Sequence, residues 1–208
     1  MKYYPAFLDL KDKKAVILGG GKVAERKVRL LLQAGADVTL ISPDITAHLR
    51  KLVNRGLLQH IERTYREGDL KNAFIVIAGT SSSVINRKIA REARHLINVV
   101  DMPSEGNYIV PSILKRGPLT IAISTEGSSP AISRAIRKEL ERHYSTEFAL
   151  YLKFVERVRK KAMKDIVHAK RREKFLKSLA SDDLLNMLRS KGFGTVRKII
   201  ESSLNEKS

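Results

Sequence analysis

Residues 15–32 read AVILGGGKVAERKVRLLL: a short apolar run, three glycines, then apolar residues at helical spacing. A strand that turns through glycines directly into an amphipathic helix forms the phosphate-holding corner of a strand–helix–strand unit. Gly19, Gly21 and Ala24 fit the G-x-G-x-x-G/A spacing. The first glycine permits the tight turn, the second lets the backbone approach phosphates, and the small third residue lets helix pack closely on strand. The N–H groups and positive dipole at the helix start then face a pyrophosphate. A dinucleotide loop is therefore expected at Gly19, Gly20, Gly21, Lys22 and Val23, with a purely structural glycine turn as the alternative. A second strand at residues 37–41 follows the turn Ala34-Gly35-Ala36.

The usual reader of the adenosine ribose is an acid at the end of that second strand, about 20 residues past the glycines. Here the chain reads Ile41-Ser42-Pro43-Asp44. Asp44 is the acid on this loop, and Ser42 has a hydroxyl to donate to a ribose oxygen. No Arg or Lys stands between Val38 and Ala47 to receive a 2′-phosphate, which favours NAD over NADP. The same residues also suit a turn and an N-cap for a helix at 47–55.

Apolar strand-like runs alternate with helical patterns throughout the first half: strands at 15–18, 37–41, 61–65, 74–78 and 98–100, helices at 23–33, 47–55 and 83–94. This alternation predicts an α/β fold, a doubly wound parallel sheet with helices on both faces. Ligands gather beyond the carboxyl ends of such strands. Gly79 and Thr80, at the end of the 74–78 strand, are thus expected on the nicotinamide side of the cofactor, or else they only begin a Ser-rich turn.

Beyond residue 107 the pattern changes. Two extended segments, 108–113 and 119–124, flank an expected turn at Lys115-Arg116-Gly117-Pro118. Ser129 and Pro130 then suit the N-cap and first turn of a helix running to about His143. From Glu147 the chain reads as helical, with breaks near Ser181-Asp182 and at Lys191-Gly192-Phe193-Gly194. The expected division is 1–113, 114–145 and 146–208, and the last residues, Asn205 to Ser208, are expected to fray.

The chain has no Cys, so disulfides and thiolate zinc sites are excluded. Its five histidines show no metal-ligand spacing, and no permanent metal site is expected. The start lacks the apolar segment of a signal peptide, and a cytoplasmic location is expected. Forty Lys and Arg against 22 Asp and Glu leave a net charge of +18. Such an excess points to a polyanionic partner or a carboxylate-rich ligand. It is uneven: residues 1–114 hold 18 basic and 11 acidic side chains, residues 115–208 hold 22 and 11.

Several spaced motifs occur in order: Gly19-Gly20-Gly21-Lys22-Val23-Ala24-Glu25-Arg26-Lys27, Asn98-Val99-Val100-Asp101, Tyr108-Ile109-Val110-Pro111-Ser112-Ile113, Leu119-Thr120-Ile121-Ala122-Ile123-Ser124 and Ser128-Ser129-Pro130. Together they resemble the precorrin-2 dehydrogenase module of the siroheme synthase family, most tightly over residues 5–142. The resemblance implies a Rossmann-type domain, a small dimerisation segment and a C-terminal helical domain in a homodimer. It implies NAD-dependent oxidation of precorrin-2 to sirohydrochlorin, and some members of the family also insert ferrous iron. Asp101 matches the family's essential aspartate, which accepts a proton or steers the macrocycle. Beside an apolar macrocycle its carboxyl is expected to hold a proton more tightly.

Precorrin-2 carries acetate and propionate groups around its rim. Ser124, Ser128, Arg116, Arg134 and Arg137 are the expected substrate contacts, with Lys115 and Lys138 nearby in sequence. Thr125 stands where some relatives carry a regulatory phosphoserine, which argues against that control here. The chain also ends where bifunctional relatives continue into a methyltransferase domain, so that activity is expected from another protein. A non-catalytic nucleotide-sensing module would explain the glycines but not the later motifs in this order. Nucleic acid is not expected as partner, since no helix-turn-helix or similar reader is found, and the longest apolar runs are too short to expect a membrane.

Overall fold

The computed structural model describes residues 2–205, which pack as two compact units meeting in sequence at Val110 and Pro111. The first unit is built on five parallel strands: β1 (Lys14–Leu18), β2 (Asp37–Ile41), β3 (Gln59–Ile61), β4 (Ile75–Ala78) and β5 (Leu96–Val99). Their spatial order is β3-β2-β1-β4-β5, so the winding direction reverses between β1 and β4. Ala15 pairs with Val38 on one side and Ile75 on the other, which makes β1 the centre of the sheet.

Both faces of the sheet are covered, which is why the strands read as continuous apolar runs. Ala15 and Ile17 of β1 meet Ala24, Val28 and Leu31 of α1 (Lys22–Gln33) and Leu49 of α2 (Ala47–Asn54). Val16 and Leu18 point the other way, into a layer with Ile89 of α3 (Ser83–Glu92). The structure is thus the doubly wound sheet that the alternating pattern predicts.

The expected strand at 61–65 falls instead at Gln59–Ile61. Arg63 leaves the ladder because its guanidinium grips Asp69 with two bonds of 2.7 and 2.8 Å, while the Arg66 N–H donates to the same carboxylate at 2.7 Å. A closed turn-rich segment, with no helix, therefore carries the chain from β3 to β4. Arg63 holds the Asp69 carboxyl below its ordinary value through these bonds.

In the second unit β6 (Ser112–Arg116) and β7 (Leu119–Ile123) form an antiparallel hairpin. The turn is tighter than its sequence suggests. Only Gly117 and Pro118 lie between the strands, so Lys115 and Arg116 are strand residues. After α4 (Pro130–His143), the helices α5 (Thr146–Asp165), α6 (Ala169–Ser178) and α7 (Asp182–Asn205) share one core of Tyr151, Phe154, Val158, Phe175, Val196 and Ile200.

Ser129 caps α4 as expected, accepting from the Ile132 N–H at 3.2 Å. Gly192 interrupts α7 with φ 77°, also as expected. An unexpected break separates α5 from α6. Buried Ile166 leaves helical geometry there, and the Arg172 guanidinium satisfies its carbonyl at 2.9 Å.

Candidate functional site

The carboxyl ends of β1, β2, β4 and β5 lie along one edge of the sheet, and the loops leaving them are tied together. The Gly19 N–H donates to the Ile41 carbonyl at 3.0 Å, Gly79 N–H to Leu18 at 2.9 Å, and Val100 N–H to Ala78 at 2.9 Å. The Thr46 N–H reaches across to the Gly20 carbonyl at 3.1 Å. Each strand thereby continues one residue beyond its formal end, bringing the loops close.

The three glycines of the first loop do different work. Gly19 has φ +104°, and a Cβ there would stand 2.3 Å from the Gly79 carbonyl oxygen. A Cβ on Gly20 would stand 1.9 Å from the Asp44 carbonyl oxygen. These two residues let the loops after β4 and β2 approach. A Cβ on Gly21 meets nothing within 4 Å, and no side chain caps the α1 N-terminus that Gly21 opens. The loop is closely supported behind and open in front, which fits a phosphate group lying against backbone N–H groups. Lys22 and Val23, the next two residues, are exposed.

The β2 loop is arranged differently from the simplest expectation. Ser42 is buried, and its hydroxyl donates to the Asp44 carbonyl at 2.7 Å. That bond uses the one proton Ser42 has, so the side chain shapes the loop and is not the ribose donor. The imidazole of His60 contacts the Ser42 carbonyl at 2.9 Å. Pro43 and Asp44 are exposed, and Thr46 caps α2 while donating its hydroxyl proton to Glu25 of α1 at 2.7 Å.

At the end of β4, Thr80 is locked by a residue that the motif search did not select. Buried Asn86 of α3 accepts from the Thr80 N–H at 3.1 Å and hydroxyl at 2.7 Å, and donates back to the Thr80 carbonyl at 3.0 Å. Only the sequence distance of six residues hints at this closed loop.

Asp101 follows β5 and is exposed. The loop beyond it folds back along the strand. Asn107 accepts from the Ile97 N–H at 2.8 Å and donates to the His95 carbonyl at 2.6 Å, and Asn98 donates to the Tyr108 carbonyl at 3.2 Å. Asp101 thus opens a loop whose far end is tied back along β5, at the same edge of the sheet as the glycine loop. Its own chain does not bury it.

In the second unit, Ser124 accepts from the Glu126 N–H at 3.0 Å and Ser128 is exposed. Arg116 donates to the Tyr144 carbonyl at 3.0 Å and so closes the C-terminus of α4. Arg137 is paired with Glu141 one turn along the same helix. Arg134, Lys115 and Lys138 are exposed. Thr125 is engaged with Ser129 and Ser133. Among the described residues, no group of three or more His, Asp or Glu comes together as a metal cluster, and no helix is long and apolar enough to cross a membrane.

Residues 6–112 match the family model described as putative NAD(P)-binding, and residues 116–143 match that of the sirohaem biosynthesis protein central domain. The chain belongs to the siroheme synthase N-terminal family. Its relatives include siroheme synthases of Methylobacillus flagellatus (40% identical over 144 residues, 68% of this chain and 31% of that protein) and Thioalkalivibrio sulfidiphilus (32% over 207 residues, 98% and 42%). The siroheme synthase of Escherichia coli O157:H7 is 32% identical over 210 residues, 99% of this chain and 46% of that protein. The chain thus spans less than half the length of these family members. A solved structure named SirC, precorrin-2 dehydrogenase, superposes with TM-score 0.84 at 26% identity, covering 98% of this chain and all of that one. Members of this family and the glycine loop together make the first unit a nicotinamide dinucleotide-binding domain.

Proposed function

We propose that this chain oxidises precorrin-2 to sirohydrochlorin with NAD, acting in the cytoplasm as a homodimer. The observation that carries the reading is the placement of Asp101. An exposed carboxylate on the loop after β5 shares the carboxyl edge of the sheet with an open glycine loop, which itself stands at the reversal of winding where such sheets bind ligands. Supporting it, the similar SirC structure is named a precorrin-2 dehydrogenase.

The backbone at Gly19, Gly20, Gly21, Lys22 and Val23 holds the pyrophosphate, and Gly79 and Thr80 border the nicotinamide side. Asp44 and Pro43 face the adenosine ribose, while Ser42 holds their loop in shape. The exposed acid and the absence of a base on this loop favour NAD over NADP. Bound nicotinamide supplies the hydride acceptor. Asp101 takes the proton that must leave the macrocycle, or fixes the ring that loses it. Ser124, Ser128 and Arg134 offer donors to substrate carboxylates, whereas Arg116 and Arg137 bring guanidinium groups already shared with Tyr144 and Glu141.

The test is anaerobic incubation with precorrin-2 and NAD, following NADH and sirohydrochlorin by absorbance. The wild type is expected to form both together, and Asp101→Ala to lose about a hundredfold or more in rate while still binding NAD. A folded wild type that binds NAD and forms no NADH overturns the reading.

A further inference from the structure

Lys27 is one of three cations of α1, with Arg26 and Arg29, that lie outside the dinucleotide loop, and it is the least exposed of them. It is partly buried, and among the described residues it makes no ion pair or hydrogen bond. An ammonium withdrawn from water without an anion is unfavourable by itself. Burial, aided by neighbouring Arg26, lowers its pKa to about 8.

The helix fixes its direction. At 3.6 residues per turn, Lys27 lies roughly 60–70° to one side of the buried stripe Ala24, Val28 and Leu31, and Glu25 roughly 90° to the other. Glu25 is bonded to Thr46 at the start of α2, so its side faces β2 and the adenosine end. Lys27 therefore faces the β4 and β5 side. Helical side chains lean toward the N-terminus, which carries the Lys27 stem toward the carboxyl edge of the sheet.

The same face of β5 holds two further groups without partners. Asn98 Oδ1 and the Tyr108 hydroxyl are buried with no hydrogen bond, and Tyr108 packs in the same apolar layer as α1. On this face β1 and β4 present Ala15, Ile17, Ile75 and Ile77, β5 presents Leu96, Asn98 and Val100, and the segment after β5 presents Tyr108. None carries a negative charge, and among the described residues no carboxylate pairs with Lys27.

The pyrophosphate belongs at the α1 N-terminus, five residues or about 7.5 Å along the axis from Lys27. A ribose phosphate would lie on the β2 side. We propose that Lys27 is a substrate-binding residue whose ammonium receives a carboxylate of the tetrapyrrole, on the β4 and β5 side of the sheet's carboxyl edge. This rests on the dehydrogenase reading for the identity of the ligand.

Lys27→Met and Lys27→Arg test it, with turnover measured from pH 6.5 to 9.5, NAD affinity measured separately, and sirohydrochlorin binding followed by absorbance titration. Lys27→Met is expected to raise the KM for precorrin-2 about tenfold, as loss of one charged contact does, with kcat and NAD affinity near wild type. The wild-type kcat/KM is expected to fall as pH rises through about 8, where Lys27 loses its charge. Lys27→Arg should keep a low KM and remove that fall. Unchanged KM and sirohydrochlorin affinity in Lys27→Met overturn the inference, as does a loss confined to NAD. If the wild type binds sirohydrochlorin through Lys27 without oxidising precorrin-2, the inference stands and the dehydrogenase reading falls. If the wild type binds no tetrapyrrole, both fall.

Discussion

A Cβ placed on Gly20 collides with a backbone carbonyl, and one placed on Gly21 meets nothing. The two alanine substitutions therefore separate folding from binding. Gly20→Ala is expected to lower stability by about 2 kcal/mol or more, because the β2 loop must move, and to weaken NAD binding with it. Gly21→Ala is expected to leave the melting temperature near wild type, since its φ of −81° suits any residue, and to weaken NAD binding alone. Thermal melts and NAD titrations of both variants check this. Lys27 adds a prediction from its lowered pKa. The folded state holds its proton less tightly than the unfolded chain, so stability rises with pH between about 8 and the ordinary 10.5. Lys27→Met should then raise stability at pH 7 by ~1 kcal/mol, allowing for solvent around the partly exposed amine, and the gain should vanish toward pH 10.5. Thermal melts across that range measure it. At this scale the glycine spacing was readable and the support behind it was not. Neither the carbonyl facing Gly20 nor the Asn86 clasp on Thr80 leaves a local sequence signal, because both join residues whose approach is set by the sheet.

Helices and strands of the first unit followed their apolar periodicity, and departures arose where side chains closed on backbone. Arg63 ends the strand early by gripping Asp69, a contact of two ordinary surface residues until the turn brings them together. In the helical unit, Glu147 at the start of α5 accepts from the Phe193 N–H at 2.7 Å and so caps the part of α7 beyond Gly192. Glu147→Ala is expected to cost about 1–2 kcal/mol, as the loss of an N-cap does, seen as a lower urea midpoint with unchanged slope. Gly192 was legible as a break, but its capping partner 46 residues away was not. The break at Ile166 carried no glycine or proline signal, since an Arg172 bond and burial of Ile166 create it.

Two units with separate cores make up the molecule. Differential scanning calorimetry is expected to resolve two transitions, and NAD to raise only that of the sheet unit. At a hundred times its dissociation constant the cofactor adds about 2.7 kcal/mol there. Phe175→Ala, in the helical core, should lower the other transition alone by about 3–5 kcal/mol. A single transition shifted by both would contradict this. The sequence by itself determined the parallel wound sheet, the glycine corner, the helix start at Ser129 and the family, because each depends on residues close in the chain or on periodic burial. Only the tertiary structure decided which groups are already engaged. Ser42, Arg116 and Arg137 read as donors to a ligand, yet each meets a partner in the folded chain. Lys27 entered only as the end of the glycine motif, and folding left it partly dry and without an ion pair among the described residues. Charge and hydrogen-bonding capacity are written in the residue type, whereas their satisfaction depends on which distant atoms the fold brings within reach.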